Sequence, residues 1–455
     1  MVLSRVYAVD TVTFKMAIER SLLGYQITNF VSMYIGYAFY MMNRKAFSFA
    51  LPVMIKQEGL SKSDLGMVLS SNYVAYTISK FLAGVLSDRI PPNILFSVGL
   101  FFSGVAVTIF SETSQVWLFV GIWFINGLSQ GAGWPSCVKV LKHWFSPATF
   151  GTWWGVLSTS MNAANSLGPF IAMFIMLHYD WRFYMKLQGV TTCIFAMIVF
   201  FAIKNSPKSV GIDYDIQGAA SQKKDDDKKS KGDSLENSTA TWRDLIASPF
   251  LWVISLLILL ILGTTTAVID WGQLYLIQDR EQSNYVGSTF MSLYGIGGTI
   301  GSIIPSYIAD RLVAKQSPGS TFNPRLTVVL ALSALTVNFL HLFTYCVTSE
   351  SSQLWISVLA FGLGFGLYGS VALLGVVAVE CAPPHLSGTS HALYGIGSNV
   401  GSVLAGLPLS YVAKYYNWSG VFVVLEAVGI LTVAILVACR WMSHVIAVDK
   451  KKKTD

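Results

Sequence analysis

Long apolar stretches recur along almost the whole chain, separated by short polar joints or joints that contain Gly or Pro. Each stretch reaches the ~20 residues that a helix needs to cross a bilayer. Runs such as residues 251–263 are apolar on every face, whereas barrel strands are shorter and alternate in polarity. The pattern predicts twelve spanning helices, at 29–55, 64–87, 93–112, 116–142, 148–178, 184–204, 247–278, 285–312, 325–347, 353–380, 387–412 and 418–441.

The composition agrees with a membrane protein. The 455 residues are 53% hydrophobic and 12% charged, and the mean hydropathy of +0.55 is higher than a soluble domain can accommodate. The lipid bilayer is therefore an expected partner. The net charge of +7 does not indicate nucleic acid, because the basic residues concentrate at helix ends and in one loop. The five cysteines show no metal-binding spacing, so we expect no metal and no cofactor.

The two halves of the chain repeat each other. Three residues of the first half recur in the second after 237 positions, in the pairs Gly151 and Gly388, Asn162 and Asn399, and Trp181 and Trp418. An Asp-Arg pair also recurs in the joints after spans two and eight, as Asp88-Arg89 and Asp310-Arg311. A duplication of six helices places a binding cavity where the two bundles meet, and rocking of the bundles exposes it alternately to either side.

These features define the expected organisation. We predict a cytoplasmic N-terminal segment at 1–28, a six-helix bundle at 29–204, a cytoplasmic linker at 205–246, a second six-helix bundle at 247–441 and a cytoplasmic tail at 442–455. The linker is rich in Lys and Asp and lacks apolar periodicity. The positive-inside rule and the even number of spans place both termini in the cytoplasm.

Three cations lie within the first two predicted spans. Arg44 and Lys45 lie in span one and Lys80 in span two. Tyr40 and Tyr76 precede Arg44 and Lys80 by four residues, so each tyrosine shares a helix face with a cation. Arg binds phosphate through two parallel hydrogen bonds and Lys adds a compact charge, which predicts a phosphate site. The alternative is a structural role, for example pairing of Arg44 or Lys45 with Asp270, or of Lys80 with Asp88.

Further polar residues are candidates for substrate contact: Gln130, Trp134, Asn162, Asp270, Gln273, His391, Tyr394 and Asn399. The second-half members are acceptors and amides that suit the hydroxyl groups of a sugar. Contacts between helices are the alternative for Asn162 and Asn399. Asp88, Arg89, Asp310 and Arg311 are interpreted as gating residues or helix-end charge networks, not as ligands.

Several motifs carry a resemblance to a known family: NRKAFSF at 43–49, ISKF at 78–81, QGAGWP at 130–135, GTWW at 151–154, DWGQ at 270–273 and GTSHA at 388–392. Together they resemble the organophosphate:phosphate antiporters of the major facilitator superfamily, in particular their glucose-6-phosphate-translocating branch. The resemblance runs from about residue 30 to 440. It implies the major facilitator fold, and exchange of glucose-6-phosphate for inorganic phosphate by alternating access across the endoplasmic-reticulum membrane.

The resemblance also implies that Arg44 and Lys80 bind the phosphate. The chain departs from the family at span seven, where bacterial members carry a second arginine but residues 263–267 read GTTTA. Either the first half holds the phosphate alone, with threonine hydroxyls helping, or the substrate differs. Lys452 and Lys453 resemble a dilysine retrieval signal, which agrees with the endoplasmic reticulum.

Several functions remain open on the sequence. Exchange of glucose-6-phosphate for phosphate is the leading hypothesis. Such an exchanger is expected to be coupled functionally to a lumenal glucose-6-phosphatase. Exchange of glycerol-3-phosphate or a triose phosphate, or a sugar-phosphate sensor that does not transport, are alternatives. An enzyme is not expected, because no nucleophile-base set, paired acidic cluster or metal spacing occurs.

Overall fold

The protein is described from a computed structural model, which covers residues 2–86, 89–212, 249–315, 323–380 and 387–441. The part before the central gap contains α1 (Val2–Glu58), α2 (Lys62–Leu86), α3 (Pro92–Phe110), α4 (Val116–Gln130), α5 (Gly133–Trp144), α6 (Pro147–His178), α7 (Trp181–Ala202) and a 3-10 turn at Pro207–Val210. The part after it contains α8 (Pro249–Leu274), a π-helical turn at Tyr275–Asp279, α9 (Asn284–Ala314), α10 (Pro324–Tyr345), α11 (Gln353–Glu380), α12 (Ser387–Ala405) and α13 (Leu407–Trp441).

Local sequence signals set several helix ends. Pro92, at the start of α3, has the fixed φ that suits a first helical turn and lacks the N–H that would have no partner there. Asp180 and Ser283 cap α7 and α9, each accepting a hydrogen bond from a backbone N–H three residues later. Gly59 follows α1 with a φ of +67°, which glycine adopts without steric strain. These signals make the joints between spans short.

Three predicted spans differ from the observed helices. Helix α1 begins at Val2 and not near residue 29, since no proline interrupts the preceding residues. Span four is divided into α4 and α5 by a turn at residues 131–132. Span eleven is divided between α12 and the first part of α13, and α13 kinks at Asn417, whose φ is +60°. The part of α13 after this kink is span twelve.

With these divisions the helices form twelve spans in two groups of six. Helices α1–α7 form the first half, in which α3 packs on α7 and α2 on α4. Helices α8–α13 form the second half, in which α9 packs on α11 and α8 on α12. Seven helices of the described part are long and apolar enough to cross a membrane by composition alone. Helices α1 and α2 fall outside that group, and they carry the three cations.

Glycines bring α4 against α2. A Cβ on Gly131 would lie 2.5 Å from the backbone nitrogen of Lys80, and one on Gly127 would collide with the carbonyl oxygen of Asn72. Both clashes are with backbone, so a larger residue would force the helices apart. Ser79 strengthens this contact, because its hydroxyl donates to the carbonyl of Leu128 and accepts from the Gly131 N–H. The small residues of span four therefore set the position of Lys80.

The two halves meet at one end of the molecule, called here the closed end, where α1 turns into α2. Ser70 Oγ accepts a hydrogen bond from the Leu407 N–H at 2.7 Å, and Lys62 Nζ donates to the Ala413 carbonyl at 3.0 Å. Among the described residues, all hydrogen bonds between the halves lie between the middle of the bundle and this end.

Candidate functional site

A cavity of about 540 Å³ lies between the two halves. The first half contributes Met41, Arg44, Lys45, Tyr73, Tyr76, Thr77, Lys80, Gly155, Ser158, Thr159, Met161, Asn162 and Asn165. The second half contributes Leu262, Thr265, Thr266, Ile269, Thr299, Ser302, Ile303, Tyr368, Val371, Ala372, Ser398, Asn399 and Ser402. All three cations in this lining come from the first half, and none of these described lining residues carries a carboxylate. The cavity is therefore positively charged on one wall, and the other wall is neutral, with hydroxyl and amide groups among apolar side chains.

Arg44 is fixed from two sides. Its Nε donates to Gln130 Oε1 at 2.8 Å, and its guanidinium lies over the ring of Tyr76, 3.9 Å from the ring centroid. Its terminal Nη2 is buried and has no hydrogen-bond partner among the described residues. A buried unsatisfied donor on a charged group is unfavourable unless a ligand completes it. Arg44 therefore lines the cavity and keeps one buried donor, Nη2, that the described residues do not satisfy.

Lys80 lies on the same side of the cavity. Its Nζ is 5.3 Å from the centroid of the Tyr76 ring, so Tyr76 is flanked by two cations. Lys80 is half-buried, and within the described part of the chain it makes no ion pair. Among the described residues no carboxylate pairs with Arg44 or Lys80, and two such cations suit a doubly charged phosphate.

Lys45 has a different environment, although it follows Arg44 in the chain. Its Nζ contacts Asp270 Oδ1 at 2.7 Å and Tyr73 Oη at 2.7 Å. The other oxygen of Asp270 accepts from Tyr73 Oη at 2.6 Å, and Ser48 Oγ donates to Oδ1 at 2.9 Å. Lys45 and Asp270 are both buried. Asp270 of the opposite half therefore neutralises the charge of Lys45. This ion pair joins the two halves on the side of the cavity towards the closed end.

The neutral wall displays hydroxyl and amide groups. Thr265 and Thr266 of α8 lie on this wall, in the stretch where the sequence lacks a cation. Thr266 Oγ1 lies 3.2 Å from Ser402 Oγ. Asn162 and Asn399, the residues related by the repeat, face the cavity from opposite halves. Groups of this kind donate and accept hydrogen bonds without adding charge.

Three predicted first-half residues do not reach the cavity. Tyr40 is fully buried inside the first half, where its hydroxyl donates to the Phe96 carbonyl at 2.7 Å. It does not accompany Arg44 as the four-residue spacing suggested, because its ring points towards α3. Trp134 packs between Tyr37 and Trp154 at centroid distances of 4.9 and 5.0 Å. Gln130 is also absent from the lining and lies behind Arg44.

The predicted second-half residues are also dispersed. Gln273 lies between α8 and α9, and its Nε2 donates to Ser288 Oγ at 3.3 Å. Tyr394 donates to the Val371 carbonyl at 3.1 Å inside the second half. Neither belongs to the cavity lining. The side chain of His391 lies outside the described residues.

The predicted gating residues are found at helix ends. Asp310 pairs with Arg325 Nη1 at 2.7 Å, which links α9 to α10 within one half. Arg311 lies over the ring of Tyr307 at 4.7 Å. Arg89 is exposed, and Asp88 lies outside the described residues. The sequence allowed two roles for Asp310, in gating or in a charge network at a helix end. The contact with Arg325 is a network of the second kind.

Several cavity residues were not predicted from the sequence, among them Tyr73 and Tyr368. Tyr73 precedes Tyr76 by three residues, so helical spacing places it on the same face. That signal was available in the sequence. Tyr368 lies in an apolar span without a distinctive pattern, and its contact with Asn165 Nδ2 at 3.3 Å depends on the docking of the halves. In the described part, no three His, Cys, Asp or Glu side chains come together as a metal site requires.

The fold and the cavity define a membrane protein of two six-helix bundles with a central site between them. The chain belongs to the major facilitator superfamily, whose family model matches residues 33–406. The predicted fold class, an all-α membrane protein with twelve transmembrane helices in two six-helix bundles, is confirmed.

Individual relatives agree with this family. The chain is 32% identical over 412 residues to a probable hexose phosphate transport protein of Chlamydia trachomatis, covering 88% of each chain. It is 27% identical to the membrane sensor protein UhpC of Escherichia coli, covering 89% of this chain and 90% of the relative. Its fold is similar to a crystal structure of a bacterial homologue of the human lysosomal transporter Spinster in an inward-facing and occupied conformation, with a TM-score of 0.67, 12% identity and coverage of 93% and 97%.

Proposed function

We propose that the protein exchanges glucose-6-phosphate for inorganic phosphate across the endoplasmic-reticulum membrane. The observation that carries this proposal is the pair Arg44 and Lys80. Both cations face a cavity whose described lining holds no carboxylate, and Arg44 Nη2 has no partner among the described residues. The Chlamydia relative named as a probable hexose phosphate transport protein supports a sugar phosphate as the cargo. Neither relative is named as an enzyme, which supports a transport or sensing role.

The two walls of the cavity suit the two parts of such a substrate. The phosphate binds between Arg44 and Lys80, beside Tyr76. The sugar hydroxyls face Thr265, Thr266 and Asn399 of the neutral wall. This arrangement assigns the phosphate to the first half alone and gives the threonines of α8 a contact with the sugar, in place of the span-seven cation of the family.

Charge explains why transport takes the form of exchange. Two cations without a counter-ion in a low-dielectric site repel each other, and a bound phosphate removes this repulsion. A loaded cavity allows the two halves to close around the ligand, whereas an empty cavity makes closure unfavourable. Return of the carrier therefore requires a second phosphate-bearing ligand. Uncoupled efflux at the exchange rate would contradict this mechanism.

The location and the topology form part of the same proposal. The motifs shared with the glucose-6-phosphate-translocating branch favour the endoplasmic reticulum, and the basic linker favours cytoplasmic termini. The closed end then faces the lumen. A lumenal glucose-6-phosphatase is the proposed functional partner, because it would release the phosphate that returns in exchange.

A sensor that binds a sugar phosphate without transporting it is the second candidate. The similarity to the Escherichia coli membrane sensor protein favours it. Both candidates bind a sugar phosphate in the same cavity. They differ only in whether the bound substrate then crosses the membrane. Glycerol-3-phosphate and triose phosphates are alternative cargoes, which the same assay resolves by competition.

The test is counterflow of labelled phosphate into proteoliposomes preloaded with glucose-6-phosphate, phosphate or buffer. We expect uptake with both phosphate-bearing preloads and little uptake with buffer, and loss of this uptake in Arg44→Ala. Uptake only into vesicles preloaded with inorganic phosphate would mean that the organic substrate is an organophosphate other than glucose-6-phosphate. Binding of phosphate without uptake from any preload would favour the sensor. Neither binding nor uptake would reject both candidates.

A further inference from the structure

The strongest remaining feature is a buried network of uncharged polar side chains behind Arg44. Its members come from α1, α3, α4 and α7, and all of them are buried: Asn43, Ser103, Asn126, Gln130, Gln188 and Thr192. None of the six reaches the cavity lining. Polar groups inside a membrane bundle are unfavourable unless they are paired, so a network of this size requires an explanation.

The hydrogen bonds of Gln130 fix the orientation of its amide group. Its Nε2 donates to Asn126 Oδ1 at 2.8 Å and to Ser103 Oγ at 3.3 Å. Both N–H groups of the amide are therefore in use, and Oε1 is left to face Arg44 Nε at 2.8 Å. A rotated amide would place two donors against a guanidinium that has only donors. The network thus presents a carbonyl oxygen to Arg44.

The rest of the network anchors Asn43, the residue before Arg44. Asn43 Nδ2 donates to Ser103 Oγ at 3.0 Å. Asn43 Oδ1 accepts from Gln188 Nε2 at 3.0 Å and from Thr192 Oγ1 at 3.1 Å. The network therefore holds both the guanidinium of Arg44 and the helix turn that carries it.

The two neighbouring cations differ in what faces them. Lys45 meets a carboxylate, Asp270, at 2.7 Å. Arg44 meets the amide oxygen of Gln130 and the side chain of Tyr76, and it forms no ion pair with a carboxylate among the described residues. An amide oxygen orients a guanidinium but does not cancel its charge, whereas a carboxylate does both. The full charge of Arg44 therefore remains available to an anion in the cavity.

We propose that Gln130 is a positioning residue for the phosphate site: its neutral acceptor, fixed by Asn126 and Ser103, aims the Arg44 guanidinium into the cavity with its charge uncompensated. This inference rests on the proposed function, because it assigns the site to a phosphate. It gives Gln130 an action through Arg44 and no contact with the substrate.

The test measures equilibrium binding of labelled inorganic phosphate to the purified full chain. The variants are Gln130→Met, which removes the acceptor at similar size, Gln130→Glu, which keeps an oxygen but adds a charge, Arg44→Ala, and the double variant Gln130→Met with Arg44→Ala. We expect both single Gln130 substitutions to weaken phosphate binding by about 10- to 100-fold, the range for a hydrogen bond to a charged group. In the Arg44→Ala background, Gln130→Met should have no further effect.

Asn72→Leu is the matched control. Asn72 is a buried amide of the same half that donates to the Trp123 carbonyl at 3.0 Å and lies outside the network. We expect it to lower thermal stability without changing phosphate affinity. If Gln130 had only a structural role, Gln130→Met would also lower thermal stability and leave the phosphate affinity unchanged.

The outcomes separate this inference from the proposed function. If the natural chain binds no phosphate, both are rejected. If it binds phosphate through Arg44 but Gln130→Met leaves the affinity unchanged, or weakens binding equally with and without Arg44, only the positioning role is rejected. If Gln130→Glu binds phosphate as tightly as the natural chain, the requirement for a neutral acceptor is wrong.

Discussion

Lys45 Nζ lies 2.7 Å from Asp270 Oδ1, and this ion pair joins the two halves of the protein directly beneath the cavity. Both partners are buried, and Tyr73 and Ser48 complete the hydrogen bonds of the carboxylate. Removing one member of such a pair leaves an uncompensated buried charge, which is more unfavourable than removing both. The pair is therefore positioned to hold the two halves together at the closed end.

For this pair we predict a non-additive effect on stability. Lys45→Met or Asp270→Leu alone should destabilise the protein by about 3–5 kcal/mol. The double variant should recover most of this loss, because it replaces two charges by apolar groups of similar volume. Thermal unfolding in detergent measures the three variants against the natural chain. Additive losses in the double variant would show that the two charges do not stabilise each other.

Lys80 should determine phosphate affinity more than turnover. Lys80→Met removes one of the two cations of the proposed site, and we expect the KM for phosphate to rise about tenfold. Lys80→Arg retains the charge and should have a smaller effect. Lys315→Met is the control, because Lys315 is an exposed residue after α9. Counterflow at several phosphate concentrations separates KM from the maximal rate, and an unchanged KM in Lys80→Met would exclude Lys80 from the site.

Gly131→Ala should disturb the site without touching its polar groups. The added Cβ would lie 2.5 Å from the Lys80 backbone nitrogen, so α2 and α4 would have to separate. We expect a loss of about 1–3 kcal/mol in stability, as in other overpacked cores, together with weaker phosphate binding. Gly121→Ala, within α4, meets nothing within 4 Å and should be neutral. Equal behaviour of the two variants would contradict the close packing of α2 on α4.

Thr265→Lys tests the wall that lacks a cation. Thr265 lies on the cavity, on the helix where the resemblance to the organophosphate family implies an arginine that this chain lacks. An added positive charge should tighten phosphate binding about tenfold and slow exchange, because a more tightly held ligand leaves more slowly. Labelled-phosphate binding and counterflow measure the two effects separately. Unchanged affinity would show that the phosphate lies beyond the reach of α8.

The sequence by itself determined the architecture. The lengths of the apolar stretches predicted twelve spans. The residues that recur after 237 positions predicted two related halves with a site between them. These properties are local or periodic, because a bilayer requires each span to satisfy its own backbone. The ends of α1 and the divisions of spans four and eleven were not predicted, since helix continuity depends on local breaks that hydropathy does not register.

The tertiary structure decided which polar residues share the site. Arg44 and Lys45 are adjacent in the chain, and the sequence left ligand and structural roles open for both. Successive residues of a helix point about 100° apart, so Arg44 meets Gln130 of its own half while Lys45 meets Asp270 of the opposite half. Tyr40 shares the predicted face of Arg44, yet the packing of α3 draws its hydroxyl to Phe96. These distinctions depend on contacts between residues distant in the chain, and only the packed helices specify them.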